Sequence, residues 1–146
     1  MAVTLSHVAV SVSEMDRSLR LYRDILGFEV VGDFTAEGDS VNSMVALKDV
    51  KVRIVLLHQN GSTLELCHYL SPEGRSDKAM RQCDPGITHF ALVTDQFDGI
   101  IDNLKSDGYE LLSDPLDLGA VEGMGNVRAV YFHGPDREAI ELLEVT

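Results

Sequence analysis

An internal repeat constrains this chain more than any other feature, because a pattern carried twice implies two copies of one supersecondary unit. The segment LSHVAVSVSEMDRSLRLYRDILGFEVVGD, starting at Leu5, overlays ITHFALVTDQFDGIIDNLKSDGYELLSD, starting at Ile87, with a single-residue gap. His7 falls on His89, Ala9 on Ala91, Asp16 on Asp98, Gly27 on Gly108, Glu29 on Glu110 and Asp33 on Asp114. The far end of each half matches as well. KVRIVLL from Lys51 overlays NVRAVYF from Asn126, and TLELCHY from Thr63 overlays AIELLEV from Ala139, which sets Arg53 on Arg128 and Glu65 on Glu141.

Periodicity changes in the same order within each half. Val8, Val10 and Val12 alternate with smaller or polar residues, as in a half-buried strand. Ser13 and Asp16 offer capping chemistry, and Leu19, Tyr22, Ile25 and Leu26 recur at helical spacing until Gly27 ends the helix. Strand candidates come next at Phe28–Asp33, Ser43–Leu47 and Lys51–His58, with a closing strand at Ser62–Tyr69 beyond the Asn60-Gly61 turn. The second half repeats this with a helix near Gln96–Ser106 and a strand at Tyr109–Leu112. Gly119–Asn126 then reads as a mobile Gly-rich flap, before strands at Val127–Phe132 and Ala139–Val145. The expected organisation is one domain over residues 1–146, with modules at 4–70 and 87–146 joined by a linker at 71–86 that contains Pro72, Gly74 and Pro85.

Charge narrows the partners. Lys and Arg number 12 against 24 Asp and Glu, a net charge of -12, so the long-range field repels nucleic acid and anionic membrane surfaces. No apolar run approaches the roughly 20 residues of a membrane-spanning helix. Two cysteines, Cys67 and Cys83, and an N-terminal MAVTLSHVAV without a signal pattern predict a cytoplasmic protein.

The repeat also gives meaning to four polar residues. A lone carboxylate flanked by leucines in a strand is ordinarily a solvated outer-face residue, and a His opening a strand is ordinarily a polar edge residue. Here both types recur at matched positions. Leu64 and Leu66 share one face of the closing strand and Glu65 takes the other; Ile140, Glu141 and Leu142 repeat that parity. His7, Glu65, His89 and Glu141 are therefore the candidate ligands of one divalent metal ion. Two neutral imidazoles and two carboxylates balance its charge and suit Zn, Ni, Co or Mn. Arg53 and Arg128, also matched, are candidates either for an anionic substrate or for ion pairs. His58, His68 and His133 read as surface or supporting residues, and Cys67, which shares Glu65's parity, as packing.

The segments SHVAVSVSEMDRSLRLYRDILGFEV, TLELCHY, GITHFAL and YFHGPDREAIELLEV resemble the vicinal oxygen chelate superfamily, which includes glyoxalase I, methylmalonyl-CoA epimerase, extradiol dioxygenases and bleomycin-resistance proteins. The resemblance implies an α+β fold of two βαβββ modules forming an incompletely closed eight-stranded barrel, as a homodimer. It also implies metal ligation by His7, Glu65, His89 and Glu141. In ligand set the chain is most similar to glyoxalase I, because the epimerase usually carries Gln where Glu65 stands.

That similarity implies a lyase or isomerase acting on a hemithioacetal or related α-hydroxy carbonyl through a metal-stabilised enediolate. Glu141 would be the base and Glu65 its partner. Three alternatives stay open: an acyl-CoA epimerase, ranked second because its extra glutamate would fall near Asn42 or Ser43, where this chain has no carboxylate; an extradiol dioxygenase using Fe(II); and a non-enzymatic drug- or metabolite-binding resistance protein.

Overall fold

The computed structural model describes residues 2–75 and 80–146. By its internal contacts the chain divides into two units, Met1–Asp77 and Lys78–Thr146. Four residues of the expected linker, 76–79, lie outside the described residues.

In the first unit, valine alternation forms β1 (Val8–Ser11), with Val10 buried and both its neighbours exposed. Helix α1 (Met15–Leu19) continues as a π-helical segment, Arg20–Ile25. The cap is Glu14 rather than the expected Ser13 or Asp16. Its carboxylate accepts from Asp16 N at 3.0 Å and Arg17 N at 3.1 Å, satisfying two of the free donors at the helix start. The unit is completed by β2 (Glu29–Glu37), α2 (Asp39–Val45), β3 (Lys51–Gln59) and β4 (Ser62–Ser71). Strand order is β1-β4-β3-β2, with β1 parallel to β4 and the other pairs antiparallel.

The second unit contains β5 (Phe90–Val93), α3 (Phe97–Ser106), β6 (Leu116–Val121), β7 (Gly125–His133) and β8 (Ala139–Val145). Its order, β5-β8-β7-β6, repeats the first with β5 parallel to β8. The repeat holds down to register. Ala9 pairs with Glu65 across β1 and β4, and Ala91 pairs with Glu141 across β5 and β8. The aligned glycines behave alike too, since Gly27 (φ 80°) and Gly108 (φ 88°) both take the left-handed conformation after their helices.

The single-residue gap in the alignment has a structural counterpart. Between Asp16 and Gly27 the first half carries one residue more than the second, and the π-helical segment lies in that interval. Leu26 N bonds back to Leu21 O at 2.9 Å, five residues away, so the wider turn absorbs the extra residue without moving the flanking elements.

Each sheet has two differently used faces. Val55, Leu57, Leu64 and Leu66 are buried on the face whose strand β4 meets α1, and Val130, Phe132, Ile140 and Leu142 are buried on the face whose strand β8 meets α3. Burying one such leucine or phenylalanine stabilises by about 1.5–3 kcal/mol. Opposite parity along β4 and β8 puts Glu65 and Glu141 on the other face, as the alternation predicts.

The α+β class and eight strands expected from the sequence are present, as two open four-stranded mixed sheets. Three local expectations are corrected. Ser43–Leu47 is no strand; Ser43 to Val45 belong to α2, and Ala46 closes that helix at φ 55°. Val41 and Val45, one turn apart, pack on a cluster of Val50, Val52 and Cys67, so tertiary burial overrides the strand-like apolar run. Tyr109–Leu112 contributes only an isolated bridge from Leu111 to Phe132. Gly119–Asn126 is not a free flap, because Gly119, Ala120 and Val121 pair with Val127, Asn126 and Gly125 in the β6–β7 hairpin. Among the described residues no helix is long and apolar enough to cross a membrane.

Candidate functional site

His7 and His89 stand one residue before β1 and β5, and each faces the carboxylate of its own unit. His7 Nε2 lies 4.0 Å from Glu65 Oε2, and His89 Nε2 lies 3.5 Å from Glu141 Oε2. Parallel pairing produces both arrangements. Because Ala9 and Ala91 lie beside the two glutamates, a residue two positions earlier sits at the strand mouth with only a small side chain between it and the carboxylate. Neither gap is a hydrogen bond, which needs about 2.9 Å. In each unit the nitrogen and the oxygen therefore border one gap without consuming each other's lone pairs.

The carboxylates are partly shielded, Glu65 at 22% and Glu141 at 18% side-chain exposure, which weakens competition from water. The other ring nitrogen of each histidine is engaged by the residue before it. Ser6 Oγ lies 3.2 Å from His7 Nδ1, and Thr88 Oγ1 lies 3.2 Å from His89 Nδ1. These hydroxyls occupy equivalent repeat positions, and a partner on the second ring nitrogen is what orients a metal-binding imidazole. Among the described residues no group of three or more His, Cys, Asp or Glu is arranged to hold a metal ion, so each unit by itself supplies a pair.

The surroundings of the two glutamates differ. The Cys67 thiol donates to Glu65 Oε1 at 3.2 Å. Burial, then the hydrogen bond to Glu65 and its charge, push that thiol up to about 12. In the second unit the repeat mate of Cys67 is Leu143, and the polar neighbour is instead Tyr131, directly opposite Glu141 in the ladder. Its hydroxyl lies 3.3 Å from His89 Nε2, with the rings edge-on at 5.1 Å. Burial, then the charge of Glu141 and a hydrogen bond to it, hold the Tyr131 phenol above its usual range.

Repeat logic could not find Tyr131, because its mate in the first half is Leu56. It could have flagged Ser6 and Thr88, the matched hydroxyls just before each histidine. Gln82, whose Oε1 lies 2.8 Å from His89 Nδ1, precedes the overlaid segments of the second half.

Arg53 and Arg128 are committed to carboxylates of their own units, in keeping with the ion-pair reading. Arg53 donates to Asp33 through Nε at 3.0 Å and Nη2 at 2.7 Å. Arg128 donates to Asp98 at 2.7 Å and Glu144 at 2.9 Å, with its guanidinium 4.7 Å over the Phe97 ring. Asn42 is likewise used locally, its Oδ1 accepting from Val50 N at 2.8 Å.

The chain is similar in sequence and fold to several known proteins. A protein named 2-epi-5-epi-valiolone epimerase, from Actinomyces sp, is 29% identical over 153 residues, covering 99% of this chain and 80% of that protein. The mitochondrial methylmalonyl-CoA epimerase of Mus musculus is 26% identical over 117 residues, covering 80% of this chain but only 60% of the epimerase. A solved glyoxalase family protein from Bacillus cereus shares the fold at a TM-score of 0.85 and 20% identity, covering 99% of this chain and 95% of that one. The family model of the Glyoxalase/Bleomycin resistance protein/Dioxygenase superfamily matches residues 4–142, and the chain belongs to that superfamily.

Proposed function

We propose that the protein is a divalent-metal-dependent enzyme that moves a proton at a carbon next to a carbonyl, epimerising a small substrate with two neighbouring oxygens. The observation that carries this is the matched pair of His–Glu arrangements, each with the imidazole Nε2 directed at its carboxylate and Nδ1 engaged by the preceding hydroxyl. The donor set of His7, Glu65, His89 and Glu141 fits Zn, Ni, Co or Mn in softness and in charge. A divalent ion held there supplies Lewis-acid withdrawal of electrons from a carbonyl oxygen, which acidifies the adjacent C–H.

The chain's own residues do the rest. Glu141 would take the proton from carbon, and Glu65, loosened from the ion and protonated from solvent, would return one to the opposite face, after which solvent resets both carboxylates. Asn42 and Ser43 offer no carboxylate for this work, which leaves the pair to positions 65 and 141. The Tyr131 hydroxyl lies beside the His89–Glu141 pair, 3.3 Å from His89 Nε2, and offers one proton to it. The epimerase names of the curated relatives favour this form of the reaction. A second form, isomerisation of a hemithioacetal to a thioester, is favoured by the glutamate at position 65.

The test begins with bound metal per chain, measured after purification without a metal-affinity tag, in wild type, His7→Ala and Glu141→Gln. One divalent ion that falls in both variants supports the ligand set, and metal-free wild type that none of the four ions stabilises sinks it. Proton exchange in D2O then separates the forms. Deuterium entering the carbon next to the carbonyl of an α-hydroxy ketone or 2-methyl acyl-CoA supports epimerisation, whereas turnover confined to the hemithioacetal selects the second form.

A further inference from the structure

The connector preceding β5 reaches back to His89, and its role there rests on the reading of His89 as a metal ligand. Gln82 Oε1 lies 2.8 Å from His89 Nδ1, and Gln82 Nε2 donates to Thr88 O at 3.4 Å. These two contacts identify the ends of the amide. A backbone carbonyl only accepts, so the group facing Thr88 O must be the amino end, and the group facing His89 is the oxygen. An amide oxygen also only accepts, which requires the proton to sit on Nδ1 of His89. Thr88 Oγ1, 3.2 Å from the same nitrogen, can donate or accept and so does not decide the matter.

With Nδ1 protonated, Nε2 keeps its lone pair. That atom lies 3.5 Å from Glu141 Oε2 and 3.3 Å from the Tyr131 hydroxyl, which can then donate to it. A cation needs this form of the ring, since only an unprotonated nitrogen ligates.

The turn that carries Gln82 is itself braced. Arg81 donates from its backbone N to Asp84 Oδ2 at 2.9 Å and from Nη2 to Asp84 Oδ1 at 2.7 Å, and Asp84 N donates to Arg81 O at 3.0 Å. In the first unit, the Nδ1 contact of His7 is with a hydroxyl, Ser6 Oγ at 3.2 Å, which leaves both ring tautomers open. The two histidines, equivalent by the repeat, are thus held differently.

We propose that Gln82 is a positioning residue that locks His89 as the Nδ1–H tautomer and so presents a ready Nε2 lone pair to the metal. The test uses the full chain, metal-free, at a pH where its imidazoles are neutral, with long-range nitrogen–proton correlation of the histidine rings. Wild type should show a protonated Nδ1 and an unprotonated Nε2 at His89. Gln82→Ala should shift His89 toward the other tautomer, and Gln82→Glu, which still accepts from Nδ1, should restore it. The His7 signals should be the same in all three proteins.

Titration with Co2+ supplies a second readout. Affinity should fall by about 10–100-fold in Gln82→Ala and recover in Gln82→Glu. A His89 protonated on Nε2 in wild type, or a Gln82→Ala protein unchanged in tautomer and affinity, overturns the proposal. Wild type that binds no Co2+ overturns the metal reading instead, while the ring spectra still report on Gln82.

Discussion

Tyr131 stands directly opposite Glu141 in the β7–β8 ladder with its hydroxyl 3.3 Å from His89 Nε2, while Leu56 holds the corresponding place opposite Glu65. Two carboxylates that the repeat makes equivalent therefore have different polar neighbours, a phenol in one unit and a thiol in the other. A phenol is the stronger hydrogen-bond donor of the two. Tyr131→Phe should lower stability by about 1 kcal/mol, the worth of one partly shielded hydrogen bond, read as a shift in the urea midpoint at constant slope. An unchanged midpoint would mean that the phenol contributes nothing to the fold.

The two cysteines should differ sharply in reactivity. Cys83 is exposed, whereas Cys67 is buried at 8% and its thiol is pushed up to about 12. At pH 8 its thiolate fraction is on the order of 10⁻⁴, too small for ordinary alkylation. One thiol per chain should react in the native protein, and two in denaturant. Rapid native labelling of Cys67 would show that its cover opens.

Acid should weaken both units through their arginine pairs. The Arg53 and Arg128 guanidiniums, through their hydrogen bonds, hold Asp33 and Asp98 below the usual carboxylate range. A carboxylate with a lowered folded-state pKa binds its proton more readily when unfolded. Its stabilisation is complete above the unfolded value near pH 3.9 and fades as pH falls through the lower folded value. Denaturation midpoints measured from pH 6 down to pH 2 should drop for wild type and drop less steeply for Asp33→Asn with Asp98→Asn. Parallel curves would assign the acid sensitivity to other groups.

Gly125 should resist substitution. It adopts φ 108°, and a Cβ placed there would lie 2.8 Å from the backbone oxygen of Thr146. That oxygen accepts from Asn126 N at 2.9 Å, so it cannot retreat without breaking the ladder end. Gly125→Ala should cost about 1–3 kcal/mol in a thermal or urea melt. The same change at exposed Gly74, where no neighbour lies within reach of a Cβ, should cost far less.

Much of the architecture is legible in the sequence because period and repeat are local properties. Strand alternation places Glu65 and Glu141 opposite the leucine face, and the overlay of the halves anticipates that the registers Ala9–Glu65 and Ala91–Glu141 match each other. Even the alignment gap is informative, since it marks the extra residue taken up by the π-helical segment Arg20–Ile25. The stretches that periodicity misassigns are short apolar or glycine-rich runs, where it cannot separate helix from strand or loop from hairpin. Ser43–Leu47 is decided by the burial of Val41 and Val45 against Val50, Val52 and Cys67, contacts that a linear window does not contain.

The sequence by itself thus determined the two-unit plan, the core faces and the residue types able to ligate a metal, because alternation and duplication act through neighbours along the chain. Tertiary structure alone decided which groups surround those residues. Tyr131 reaches Glu141 only through cross-strand register, and Gln82 reaches His89 only through the course of the connector. Tyr131 aligns with Leu56 and Gln82 precedes the overlaid segments of the second half, so duplication could not reveal them. Hydrogen bonds are short and directional, and their partners are chosen by distance in space rather than by separation in sequence.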